Sequence, residues 1–215
     1  MTRDEALEFL RKHQPLPDDD ALEGELIGRF DEVRKYFAVH LEPDAVPLLL
    51  NSFGSGSGFG VYQLVEDTVA KAPSDVVVSH LAKALASPHR GVRYWNAQLA
   101  ARFPHTRLLA PLNELLRDAD SDIRYAAVTA VEQIDDTAAA NLLRRALDEE
   151  ADAEVRALTP KCGVHPRTGQ RIRGERGSKV ARTQAPLKPP IRNRGKTTQV
   201  ARRAALEQTP STTEA

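Results

Sequence analysis

The chain has 215 residues, a single cysteine (Cys162), and 30 Lys+Arg balanced by 30 Asp+Glu. This excludes an intramolecular disulfide, and the length fits one domain or a domain with an extension. The opening Met1-Thr2-Arg3-Asp4-Glu5 lacks the apolar core of a signal peptide, and no run of 18 apolar residues could span a membrane. A cytoplasmic protein with no membrane partner is therefore expected.

Residues 3–12 and 21–40 read as helices. Ala6, Phe9 and Leu10, then Leu26, Phe30, Val33 and Phe37, recur at three- and four-residue steps. An internal period follows. Leu81-Ala82-Lys83-Ala84-Leu85, Leu112-Asn113-Glu114-Leu115-Leu116 and Leu143-Arg144-Arg145-Ala146-Leu147 step by 31 residues. Val92-Arg93-Tyr94 and Ile123-Arg124-Tyr125 also step by 31, and Val155-Arg156 follows at 32. Upstream, Leu49, Phe53 and Tyr62 precede Leu81, Leu85 and Tyr94 by 32. The units are 42–73, 74–104, 105–135 and 136–158, with the helices of 1–41 capping the N-terminal end of the stack.

Each unit reads as two helices. In the third, Leu108, Leu109, Leu112, Leu115 and Leu116 form one apolar stripe, and Ile123, Ala127, Ala130, Val131 and Ile134 form a second. Between them, Asp118-Ala119-Asp120-Ser121-Asp122 is rich in helix N-cap residues. A helical pair of this size cannot bury its apolar face alone, so neighbours must stack. The predicted fold is all-α, a short α-solenoid of helical pairs.

Charge divides the chain. Residues 1–158 hold 17 Lys+Arg and 27 Asp+Glu, and residues 159–215 hold 13 and 3, so the balances are −10 and +10. The second segment has no Phe, Tyr or Trp and contains Pro160, Pro166, Pro186, Pro189, Pro190 and Pro210. It is expected to be a basic disordered tail, with a short helix near 198–207, since it lacks apolar surface to offset chain entropy. Pro160 interrupts the second helix of the fourth unit, which is expected to leave Leu142, Leu143 and Leu147 poorly covered. The tail reads as a dispensable late extension or a shifted reading frame.

A helix, an Asp-rich turn and then Val/Ile-Arg-x-x-x-Ala-x-x-Ala resembles the HEAT repeat over 42–158, most clearly at 105–135. The short period is similar to the bilin-lyase-type HEAT-like repeats of bacteria. The resemblance implies a right-handed solenoid whose second helices line a concave face. It also implies that Arg93, Arg124 and Arg156 form a ladder pairing with turn carboxylates such as Asp120 and Asp122.

Tyr62, Tyr94 and Tyr125 share one phase of the repeat, with Glu66, Gln98 and Thr129 one helical turn later. On a concave face this row would suit protein binding, because tyrosine is enriched at interfaces. The alternative is ordinary inter-repeat packing with the hydroxyls in water. Trp95 reads as a large core filler between the second and third units. The alternating glycines of Phe53-Gly54-Ser55-Gly56-Ser57-Gly58-Phe59-Gly60 could cradle a phosphate, but no strand precedes them, and a flexible intra-repeat turn is the better reading.

The six histidines form no His-x3-His pair and no His-Glu dipeptide of the kind used by HEAT-like di-iron hydroxylases. Cys162 and His165 make half a zinc site at most, and Gly195-Lys196-Thr197 lacks the glycine that would open a P-loop. No catalytic constellation, metal site or cofactor site is expected.

The function expected is that of a non-enzymatic scaffold whose acidic concave face holds a basic protein, of the immunity or antitoxin type. The alternatives are a bilin-lyase-like or other HEAT-like enzyme, and a nucleic-acid-binding solenoid acting through the basic tail. HEAT-like DNA glycosylases need a basic concave face, and this body is acidic. The oligomeric state is left open.

Overall fold

In the computed structural model of the protein, residues 1–157 are described. The segment 159–215, with the helix expected near 198–207, Cys162, His165 and the Gly195-Lys196-Thr197 run, lies outside the described residues.

The described regular structure is all helical: α1 (Arg3–Lys12), α2 (Gly24–Val39), α3 (Ala45–Leu50), α4 (Val65–Val69), α5 (Ser74–Ala84), α6 (Arg90–Ala100), α7 (Leu109–Leu115), α8 (Ser121–Glu132), α9 (Thr137–Glu149) and α10 (Ala153–Arg156). Short 3-10 turns lie at Gly58–Gly60, Tyr62–Leu64 and Thr106–Leu108. Four of the helices, α1, α8, α9 and α10, start where a side chain satisfies the first free N–H groups. The Thr2 hydroxyl accepts from the Glu5 N–H, and the Glu5 carboxylate accepts from the Thr2 N–H in return. Asp120, Asp136 and Asp152 cap α8, α9 and α10 in the same sense.

Successive helices pack as pairs, α1 on α2, α3 on α4, α5 on α6, α7 on α8 and α9 on α10. First helices meet first helices, α1 against α3 and α3 against α5. Second helices meet second helices, α2 against α4, α6 against α8 and α8 against α10. The first pair, α1 and α2, stacks on the next in the same two layers as the later pairs. Phe30, Phe37, Leu49, Leu81, Leu112 and Ile123 form part of one continuous buried core between the layers.

Two expectations are corrected. Leu142, Leu143 and Leu147 are buried, because α9 packs on α8 and the single turn of α10 closes over it with its own buried Val155. Trp95 faces the first unit instead of the third. Its ring stacks on Phe53 at 5.9 Å between centroids and lies edge-on to Tyr62, and its Nε1–H donates to the Gly56 carbonyl at 2.9 Å. Only half-buried, it closes the junction between the first and second units.

At that junction the second helix of the first unit is cut short. Gly56, Gly58 and Gly60 have φ of 120°, 55° and 91°, so the chain turns repeatedly where a helix would otherwise begin, and α4 starts only at Val65. Three backbone segments meet here. A Cβ at Gly54 would strike the carbonyl oxygens of Leu16 and Pro17, and one at Gly91 would strike the carbonyl of Gly54. Asn96, fully buried in α6, donates from Nδ2 to the Leu50 and Val92 carbonyls, both at 2.7 Å. It thereby caps the end of α3 from the neighbouring unit.

Gly91→Ala tests this junction through its sign. Alanine is worth about 1 kcal/mol more than glycine inside a helix, yet here overpacking should make the variant about 1–3 kcal/mol less stable. Urea unfolding of the full chain measures it, and a stabilised variant would refute the close approach.

Candidate functional site

In the second helices α6 and α8, an arginine in the first turn links two units. In α6, Arg93 Nη1 donates to the Ser87 and Pro88 carbonyls of its own turn, while Nε reaches Asp118 of the next turn at 2.8 Å. In α8, Arg124 Nη1 donates to the Asp118 and Ala119 carbonyls, while Nε and Nη2 grip Glu150 of the next turn at 2.8 and 2.9 Å. Arg156 opens the same pattern with the Glu150 carbonyl. The ladder expected from the repeat exists, but its acids are Asp118 and Glu150. Each also accepts the N–H of the N-cap residue two positions later, Asp120 or Asp152. The Asp120–Asp122 pair instead meets Arg90, at 2.6 and 3.3 Å.

Between the first two units this rung is missing at both ends. One period before Arg93 stands Val61, and one period before Asp118 stands Ser87. The glycine loop, Trp95 and Asn96 occupy the junction instead.

The structure divides the tyrosine row. Tyr62 and Tyr94 are 1% and 3% exposed, so neither is a surface residue as the sequence suggested. Tyr62 packs edge-on against Phe30, Phe53 and Trp95, and its hydroxyl accepts the Gly54 N–H at 3.1 Å. Burial, opposed by that N–H but reinforced by Asp19 and Asp18, pushes its phenol up to about 12. Tyr94 lies beneath Arg90, whose guanidinium carbon is 5.7 Å from the ring centre. Burial and the charge on Asp122 raise its phenol, against Gln98 and Arg90.

Tyr125 is half-buried, as are Glu66, Gln98 and Thr129. Thr129 Oγ1 donates to the Tyr125 carbonyl at 3.0 Å. Glu66 is held by Arg102 at 2.6 Å, an ion pair that ties α4 to the end of α6. The exposed part of the row is thus a polar strip along α4, α6 and α8, crossed by the Arg102–Glu66 and Arg90–Asp122 ion pairs.

The glycine loop is tied down, and a carboxylate of the chain itself fills it. Asp19 Oδ2 accepts the Ser57 N–H at 2.8 Å and the Ser57 hydroxyl at 3.2 Å, and Oδ1 accepts the Gly58 N–H at 2.9 Å. Asp18 accepts the Ser55 N–H at 2.9 Å. Convergent N–H groups of this kind form an anion-binding nest. The sequence signal was present, glycines in one segment and Asp18-Asp19-Asp20 in another, but their 37-residue separation hid the pairing. Among the described residues no group of three or more His, Cys, Asp or Glu could hold a metal ion, and no helix is long and apolar enough to cross a membrane.

Residues 78–159 match the HEAT repeat family. The match is to HEAT repeats in general and does not single out the bilin-lyase type. No curated protein matches the chain.

The ladder has a pH signature. Hydrogen bonds from Arg124 hold the Glu150 carboxyl below its usual value of 4.5, outweighing the burial that pushes it up. A carboxyl lowered on folding adds stability above its unfolded value and loses it as pH falls through the folded one. Arg124→Gln should cost about 1–3 kcal/mol near neutrality, and the gap to the parent should close between about pH 5 and pH 3. Urea unfolding across that range checks it, and a pH-independent gap would remove Glu150 from the account.

Proposed function

We propose, on the premise that this is a HEAT-repeat protein, that it is a protein-binding scaffold whose partner lies along the second-helix strip. The observation that carries this reading is the strip itself. Glu66, Gln98 and Thr129 recur at one repeat phase on consecutive second helices, with Tyr125 one helical turn before Thr129, which gives a partner regularly spaced polar contacts beside a partly exposed aromatic ring. Tyr62 and Tyr94 serve beneath it as supports. The helices of 1–41 begin the stack, the repeats of 42–158 carry the strip, and 159–215 is a basic arm.

The partner in this reading is basic. The 1–158 body carries −10, and complementary charge speeds association and disfavours other acidic surfaces, nucleic acid included. An inhibitor covering a basic enzyme that acts on nucleic acid, as an immunity protein or antitoxin does, fits that charge. The role is non-enzymatic, and the arm is not needed for it.

The test uses the full chain as bait, identifies what co-purifies, and measures the affinity of the purified pair. Tyr125→Ala combined with Gln98→Ala should weaken binding about tenfold or more without unfolding the protein, since interface aromatics carry a large share of binding energy. Tyr62→Ala is unsuitable, because that ring is core. Binding unchanged by the double substitution, or nucleic acid retained by the body alone in a gel shift, would overturn the reading.

A further inference from the structure

Phe59 combines exposure, an uncommon conformation and rigid support. It is 62% exposed, and its φ of 51° places a bulky residue in the left-handed region, which side chains other than glycine seldom enter. Gly58 and Gly60 on either side also have positive φ. A glycine at 59 would relieve the strain at no loss of core, yet the chain places an aromatic ring there. Leu64, five residues on, is another exposed large apolar side chain, 41% exposed.

The loop that displays this ring does not rely on it. Asp19 holds the Ser57 and Gly58 N–H groups, Tyr62 holds the Gly54 N–H, and Trp95 holds the Gly56 carbonyl. Phe59 itself is absent from the buried core and from the residues packed against it. The surroundings are acidic. Neither 13–28 nor 36–70 contains a lysine or arginine, and the Arg102 that follows α6 is engaged by Glu66 and Asp67 at 2.6 and 3.0 Å. Asp18 and Asp20 are exposed, and Asp18 and Asp19 bind the loop directly.

We propose that Phe59 is the apolar anchor of a second docking surface, which takes a cationic amphipathic segment of a partner protein: an apolar side chain packs on Phe59 while flanking lysines or arginines meet Asp18 and Asp20. Anchors of this kind are aromatic residues on pre-ordered supports, where little entropy is lost on binding. The proposal shares the protein-binding reading above but uses a different surface, so Tyr125 and Gln98 substitutions leave it intact.

The experiment pans a displayed library of random peptides against the full chain and measures the retained peptides with the parent and with Phe59→Gly. Retained sequences should place apolar residues between lysines or arginines. They should bind Phe59→Gly at least about tenfold more weakly and bind both proteins more weakly as salt rises. Phe59→Gly should unfold at the same temperature as the parent or a higher one. Equal binding to both proteins would overturn the proposal. So would a lower unfolding temperature for Phe59→Gly, which would make the ring structural. Retention of no peptide, whether the corner is inert or covered by 159–215, also counts against it. Phe59-dependent binding to phosphatidylcholine vesicles would assign the ring to a membrane surface and overturn it as well.

Discussion

Arg93 and Arg124 each belong to two units at once. One Nη of the guanidinium satisfies carbonyls of the turn before its own helix, while Nε, joined by the second Nη in Arg124, engages an acid in the next turn. That acid in turn fixes the N–H of the residue that caps the following helix. Turn shape, helix start and unit spacing are therefore set by one planar group. The constraint is geometric as well as energetic, since the Asp118 and Glu150 side chains are only 10% and 6% exposed and a hydrogen bond to a charged group is worth about 1.5–3 kcal/mol. Stability comes from the apolar stripes that each unit leaves for its neighbour to cover, and the arginine selects the register in which they meet.

The first junction shows what replaces that device when it is absent. Val61 and Ser87 stand where a rung would have its arginine and acid, and the units are joined there by backbone contact and by substitutions inside α6. Where the third unit has Ala126 and Ala127, the second has Trp95 and Asn96, and both reach back to carbonyls of the first. The arrangement has a cost, since the buried Asn96 Oδ1 has no hydrogen-bond partner among the described residues. In return the loop is fixed in space, and the face it presents differs from the rest of the stack.

The helical pairs were legible in the sequence because a 31- or 32-residue period survives in Leu81, Leu112 and Leu143 and in the Val/Ile-Arg pairs. A residue's angle around its own helix is set by that period, but the approach of a neighbouring helix is not. Tyr94 sits beside the core positions of α6, and with α8 packed on α6 and Arg90 over the ring it is buried. Tyr62 has the same phase but is packed between Phe30 of α2 and Trp95 of α6, with its hydroxyl turned inward to Gly54. The acids of the ladder were misplaced for a related reason. Asp120 and Asp122 are nearest to Arg124 in sequence, but its Nε points along the stack to Glu150, a residue in the next unit's turn. The cradle formed by Asp19 joined two segments with no shared pattern, and only the folded chain brings them together.

The claim that the ladder couples adjacent units is tested most directly by a double-mutant cycle on Arg93 and Asp118 in the full chain. Arg93→Gln, Asp118→Asn and the pair together are compared by urea unfolding, with Arg102 and Asp67 as the control, since the Asp67 side chain is 78% exposed. The account predicts a coupling of about 1 kcal/mol between Arg93 and Asp118 and almost none in the control. A coupling for Arg93 and Asp118 within about 0.3 kcal/mol of zero would contradict it, because independent sites add to within that margin.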